Sequence, residues 1–145
     1  MGEKIAFTIA MAAMVVMLPY ILTMVLNGRE VESGAQIERL DTGRDVLIQV
    51  DGANMLMDVE QYIAGILPGI VDYNSDESVI EAQAVAVRTK IYYAMGDETI
   101  LDASSLEFDY YTNDDYIEKW GNNKYKQIKK KYDNAVINTA RQIIE

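Results

Sequence analysis

The sequence predicts an α+β chain: an N-terminal transmembrane helix, then a small mixed domain with a short β-hairpin or sheet and about three to four helices. Three observations predict it. The first is an uncharged apolar run from Ile5 to Leu26. The second is a short alternating, β-rich segment, DVLIQVD, at Asp45 to Asp51. The third is a set of segments after Asp58 whose apolar residues recur at helical spacing. On this reading residues 1–29 are a cytoplasmic tip and transmembrane anchor, 30–44 a linker and 45–145 the folded domain.

The apolar run reads IAFTIAMAAMVVMLPYILTMVL, with only Thr and Tyr as polar breaks. A span of about 20 apolar residues crosses a bilayer as a helix. The run is longer than the roughly 7–15 residues of a secretory signal core, and Met24-Val25-Leu26-Asn27 makes a poor cleavage site. The expectation is therefore an uncleaved anchor over residues 5–26, and Pro19 is tolerated in such a span. Lys4 precedes the run, and Arg29 follows it among Glu30 and Glu32. That balance favours a cytoplasmic N-terminus and an extracytoplasmic domain, on a single pass through the cell membrane.

Asn27 to Gly43 is polar, carries Gly28, Gly34 and Gly43, and reads as a tether. Asp45 to Asp51 reads as a strand, Gly52-Ala53-Asn54 as a turn, and Met55 to Val59 as the returning strand. Asp58 to Leu67 shifts to helical spacing, with Val59, Ile63 and Ile66 on one side, and Pro68-Gly69 is expected to end it. The next helix starts at Ser75 or Asp76, either a good N-cap, and runs to Met95 before Gly96. Ile80, Ala84, Val87 and Ile91 form its apolar stripe, and Ala82, Ala84, Ala86 and Ala94 suit close approach of a neighbour. Gly96 to Thr112 reads as loop with one short strand, and Asp114 to Trp120 as a short helix. Lys124 to Ile144 is a last amphipathic helix, with Ile128, Tyr132, Val136 and Ala140 spaced by four.

Composition excludes several chemistries. The formal net charge of −10 argues against a nucleic-acid partner, because phosphate binding needs a cationic surface. The chain has no Cys and no His, which removes thiolate chemistry, the commonest metal ligands and the usual general base near neutral pH. No Gly-rich phosphate loop is present. No cofactor and no metal are therefore expected, and any acid–base work falls to Asp, Glu, Lys or Tyr. Asn113, Asp114 and Asp115 lack the spacing of a calcium loop. The tyrosines of DYYTNDDY, Asp109 to Tyr116, have the amphipathic rings that stack on sugars, although such rings more often pack with a wet hydroxyl. Lys124, Lys126, Lys129, Lys130 and Lys131 make a basic face. Such a face is usually solvated, and its functional alternative is contact with anionic lipid, a wall polymer or an acidic partner.

YIAGILPG at Tyr62 to Gly69, followed by VIEAQAVAVRT at Val79 to Thr89, resembles the stage II sporulation protein D family, also called the SpoIID/LytB domain. The matching positions are Val59, Tyr62, Gly65, Leu67, Pro68, Ala82, Gln83, Ala84, Val85, Ala86, Arg88 and Thr89, with no gap. Asn134-Ala135-Val136 and Thr139 resemble a later A-V-x-x-T segment, so the likeness spans Val46 to Ala140. Family domains continue into a half rich in Gly, Ser and Tyr, so residues 45–145 resemble the N-terminal part of the domain. The resemblance implies lytic transglycosylase chemistry on peptidoglycan. One carboxylic acid protonates the glycosidic oxygen, and its conjugate base then helps the sugar's own hydroxyl close an anhydro ring. No second carboxylate is needed.

The resemblance places that acid at the position of Ile70, which can neither give nor take a proton. Asp72 and Glu77 are the nearest candidate substitutes, and a displacement of several ångströms takes an acid out of the roughly 3 Å reach that general acid catalysis requires. Tyr62, Pro68, Gly69, Gln83, Arg88 and Thr89 are the residues expected to bind glycan or shape the site. For Gln83 and Arg88 a structural role, tying the helix to the loop and sheet by hydrogen bonds, is favoured over lining a sugar cleft, because a buried Arg must be paired. The expected function is a membrane-anchored protein of cell-wall remodelling in sporulation. It lacks catalysis and binds peptidoglycan glycan strands or a wall-remodelling protein. The alternatives are an active lytic transglycosylase with a displaced carboxylate, and a structural subunit of a membrane complex.

Overall fold

The computed structural model describes residues 36–37 and 40–145. The expected anchor at 5–26 lies outside the described residues, as does most of the expected linker. No helix among the described residues is long and apolar enough to cross a membrane.

Strands β1 (Asp45–Val50) and β2 (Ala53–Asp58) form an antiparallel hairpin in which Val50 faces Ala53 and Asp45 faces Asp58. The turn is therefore Asp51-Gly52, not Gly52-Ala53-Asn54. Both turn residues have positive φ, 51° and 80°. A two-residue hairpin loop with that backbone matches the strand twist, and Asp-Gly is among the pairs that adopt it at least cost. The third strand, β3 (Ile100–Asp102), pairs parallel to β1, so the sheet order is β2-β1-β3. Val46 and Ile48 of the central strand point into the core, as the alternation predicted.

Helix α1 (Val59–Ile70) starts without a linker after β2. Asp58 makes that junction: one carboxylate oxygen accepts from Glu60 N at 2.8 Å, and the other from Thr42 N and Thr42 Oγ1, each at 2.7 Å. Val59, Ile63 and Ile66 are fully buried. The expected stop at Pro68-Gly69 is not observed, because both residues are helical. Pro68 forfeits only its own N–H bond. The turn beyond it is closed by Val71 N donating to Leu67 O at 3.0 Å, and Pro68 itself is buried.

Helix α2 (Glu77–Met95) starts after Asp76 and stops at Gly96, whose φ of 56° requires a residue without Cβ. Its buried stripe is Ile80, Ala84, Val87 and Ile91, continued by Met95. Ala82, Ala86 and Ala94 face solvent, so of the four alanines only Ala84 serves close packing. After a short 3-10 turn at Ala103–Ser105, helix α3 (Asn113–Trp120) is closed at its N-terminus by a reciprocal capping box between Thr112 and Asp115. Helix α4 (Tyr125–Asn138) buries Ile128, Tyr132 and Val136. It ends six residues before the expected Ile144, with Arg141 at a positive φ of 65°.

The early end of α4 has a cause in the core. Arg88 is fully buried, and all its N–H donors find acceptors. Its Nε donates to Glu60 Oε1 at 2.8 Å and its Nη2 to Glu60 Oε2 at 2.6 Å, a bidentate pair. The remaining donors reach Val136 O at 3.4 Å, Thr139 Oγ1 at 3.5 Å and Gln142 O at 3.2 Å. The chain must leave the helix after Asn138 to present Gln142 O to the guanidinium. Arg88 thus joins α1, α2 and the end of α4. Removing it by Arg88→Ala leaves Glu60 charged and unpaired in the core, which should cost about 3–5 kcal/mol. A fall in the urea midpoint corresponding to that loss, divided by the m-value, is expected. The paired change Glu60→Leu with Arg88→Met should recover most of the loss.

Candidate functional site

The segment after the 3-10 turn packs back onto α1 through two glycines. A Cβ on Gly65 would sit 2.1 Å from the Tyr110 ring, and one on Gly69 would sit 3.2 Å from the Tyr111 ring. Tyr111 N donates to Gly65 O at 2.9 Å, which fixes the segment's height on the helix. Tyr110 in turn stacks on Tyr62, with ring centroids 6.1 Å apart and planes within 6°. The tyrosine segment becomes a ridge with a cavity on each side.

On the sheet side is a cavity of about 620 Å³, bounded by β1, the Asp102–Ser104 turn, Tyr62 and Tyr110. Tyr62 is fully buried, and its hydroxyl has no hydrogen-bond partner among the described residues. Burial pushes its phenol up to about 12, so it stays a neutral donor across the physiological range. Asp102 also lines this cavity, but hydrogen bonding from the Ser104 side chain, and from Ser104 N at 2.9 Å, holds its carboxyl below the usual range.

On the helix side, between α1, the tyrosine ridge and α4, lies a cavity of about 340 Å³. Gln61, Tyr110, Tyr111, Tyr116, Lys129 and Asp133 are among the residues that line it. Asp133 is 3% exposed. Both its oxygens accept from Lys129 Nζ, each at 3.3 Å, long for a charge-assisted bond. Burial raises the Asp133 carboxyl above its ordinary value, and Lys129 offsets this only in part. The Tyr116 hydroxyl is buried without a partner among the described residues, and burial together with the Asp133 charge keeps it protonated.

The structure does not bring the sequence-predicted residues to one place. Ile70 closes α1, half-buried against the core, so the position matched to the family's acid carries an apolar packing residue. Pro68 is buried, while Gly69 lies exposed beneath Tyr111. Arg88 is consumed by Glu60 and the end of α4. Thr89 Oγ1 donates to Val85 O at 2.8 Å and accepts from Ile144 N at 3.0 Å. Gln83 is half-buried on α2. Asp72 is exposed and accepts from Asn74 N at 2.7 Å, and Glu77 is exposed at the start of α2. The loop holding Asp72 is pinned by α4: Tyr132 Oη donates to Val71 O at 2.8 Å, and Lys131 Nζ donates to Tyr73 O and Ser75 O at 2.7 and 2.8 Å. Lys129 and Lys131 therefore work within the fold, which narrows the expected basic face.

Sequence reasoning passed over Asp133 and Glu60. Both left a signal. Asp133 adjoins the buried stripe of α4 and has Lys129 one turn before it. Glu60 lies between Val59 and Ile63 on the buried side of α1, so Arg88 ties α2 to that helix rather than to the loop and sheet expected from the sequence.

A family model described as SpoIID, stage II sporulation protein, matches residues 52–145, well over half of the chain. No curated protein matches it.

The buried carboxyl yields a test with a definite sign. A raised native pKa means that the native state holds a proton the unfolded chain has released. Stability is therefore full below the ordinary carboxylate range and falls as pH rises to Asp133's own value. Asp133→Asn should abolish that fall and be the more stable protein at neutral pH, measured as urea midpoints from pH 3 to pH 8 (roughly the window a raised carboxylate spans).

Proposed function

The chain belongs to the stage II sporulation protein family, and from that premise we propose that it is a membrane-anchored wall protein that binds peptidoglycan glycan strands without cutting them. Membership implies a role related to sporulation and the cell wall. The finer reading rests on one observation above all: the position that the resemblance assigns to the acid is Ile70, packed against the core. A lytic transglycosylase needs a proton donor within hydrogen-bond reach of the glycosidic oxygen. Asp72 does not supply one, since its carboxylate closes its own turn and its loop is tied to α4. Glu77 sits at the exposed start of α2. The binding half of the reading is supported by the tyrosine ridge and its two flanking cavities, whose combination of apolar rings and polar groups suits a sugar ring.

The membrane half rests on Ile5 to Leu26, whose length and lack of charge suit an uncleaved span with the domain outside the cytoplasm. A wall-remodelling protein is the alternative partner for the same surface.

The test is a digest and a sedimentation assay on the same samples. Full-length protein in detergent is incubated with peptidoglycan stripped of its stem peptides. It is expected to co-sediment with the strands and to release no anhydro-ended fragments by mass spectrometry. Anhydro-ended products from the native chain would contradict the reading.

A further inference from the structure

Asp133 and Tyr116, which line the 340 Å³ cavity between α1, the tyrosine ridge and α4, are buried beyond what the fold needs of them, while the unpartnered Tyr62 hydroxyl lies on the other cavity. A carboxylate buried only to be ion-paired is poor economy, because well-packed apolar residues stabilise as much. Asp133 is not even well paired: Lys129 is its one ion-pair partner among the described residues, at 3.3 Å, with a side chain 38% exposed. The carboxylate retains lone pairs that no bond to the described residues uses. The Tyr116 hydroxyl, 1% exposed, lacks any partner there. Buried polar groups are ordinarily satisfied, so two under-used ones on one cavity point to a ligand that completes them.

The chemistry of that ligand follows from the lining. Asp133 and Lys129 cancel, so the cavity selects no net charge. Asp133 accepts, while Tyr116 and Lys129 donate. Gln61 can do both. The Tyr110 and Tyr111 rings add one apolar wall, and Ile37, Val50, Met55 and Met57 add another. The volume lies near the lower end of small-molecule sites, about 300–1,000 Å³. A neutral ring with several hydroxyl or amide groups around it and an apolar C–H face meets all of these conditions.

We propose that this cavity is a saccharide subsite, in which a neutral amino-sugar ring packs on the tyrosine ridge and hydrogen-bonds Asp133, Lys129 and Tyr116. The inference rests on the glycan-binding reading above and adds to it a location. It also separates recognition from position 70, since the subsite lies across Gln61, Ala64 and Gly65 on α1 and not at the helix end.

The experiment is a titration of the full-length protein in detergent, by calorimetry, with two probes: stem-peptide-free glycan strands and a soluble oligomer of N-acetylglucosamine. Native protein, Asp133→Asn and Tyr116→Phe are compared, with thermal melts to establish folding. Loss of a hydrogen bond to a charged acceptor should weaken binding at least about tenfold in Asp133→Asn, with a smaller loss in Tyr116→Phe. Tyr116→Phe removes only an unpartnered hydroxyl, so it decides the matter if Asp133→Asn fails to fold. Native binding with both folded variants unchanged would overturn the subsite and leave the glycan reading intact. No binding of either probe by the native protein would overturn both.

Discussion

The rest of the domain depends on the buried pair between Arg88 and Glu60. A guanidinium cannot shed its charge in a core, so it must be surrounded by acceptors in a fixed fork. Here one carboxylate from α1 supplies two acceptors and the end of α4 supplies three more. The requirement reaches well beyond the pair. It sets the distance between α1 and α2, it stops α4 at Asn138, and it draws residues 139–142 across the pair. Apolar substitutes could match the pair's stability, but they would not specify which carbonyls the chain end must present.

That constraint separates architecture from chemistry in the family motif. Arg88 and Thr89 are spent on the fold, and Gly65 and Gly69 are spent on seating the tyrosine ridge. The residue matched to the acid, Ile70, contributes apolar packing. The loop that follows is held by Tyr132 and Lys131 of α4. A carboxyl set in a cavity with raised proton affinity is Asp133, a residue of α4.

Much of the fold was legible because one residue type fixed each feature. Val59, Ile63 and Ile66, and likewise Ile80, Ala84, Val87 and Ile91, lie on faces that helical spacing identifies without any tertiary knowledge. The hairpin was legible but its turn was misplaced by one residue, although Asp51-Gly52 is the stronger turn signal. The ends of α1 and α4 were not legible. Pro68 continues a helix because the next turn closes beyond it, and Asn138 ends one because Arg88 lies elsewhere in space. Of the candidate site, the sequence alone showed the apolar residue at position 70. The cavity needs α1, the ridge and α4 together, and Tyr110 and Asp133 lie 49 and 72 residues beyond Gln61 in the chain.

The central claim is that the motif's polar residues build the fold while sugar recognition lies along Gln61 to Gly65 of α1, away from position 70. The most direct measurement is a chemical-shift map of isotopically labelled full-length protein in detergent micelles, titrated with stem-peptide-free glycan strands. The account predicts shifts at Gln61, Tyr110, Lys129 and Asp133, with Arg88, Ile70 and Asp72 unmoved. Shifts centred on Ile70 to Asp76, with the cavity residues silent, would contradict it.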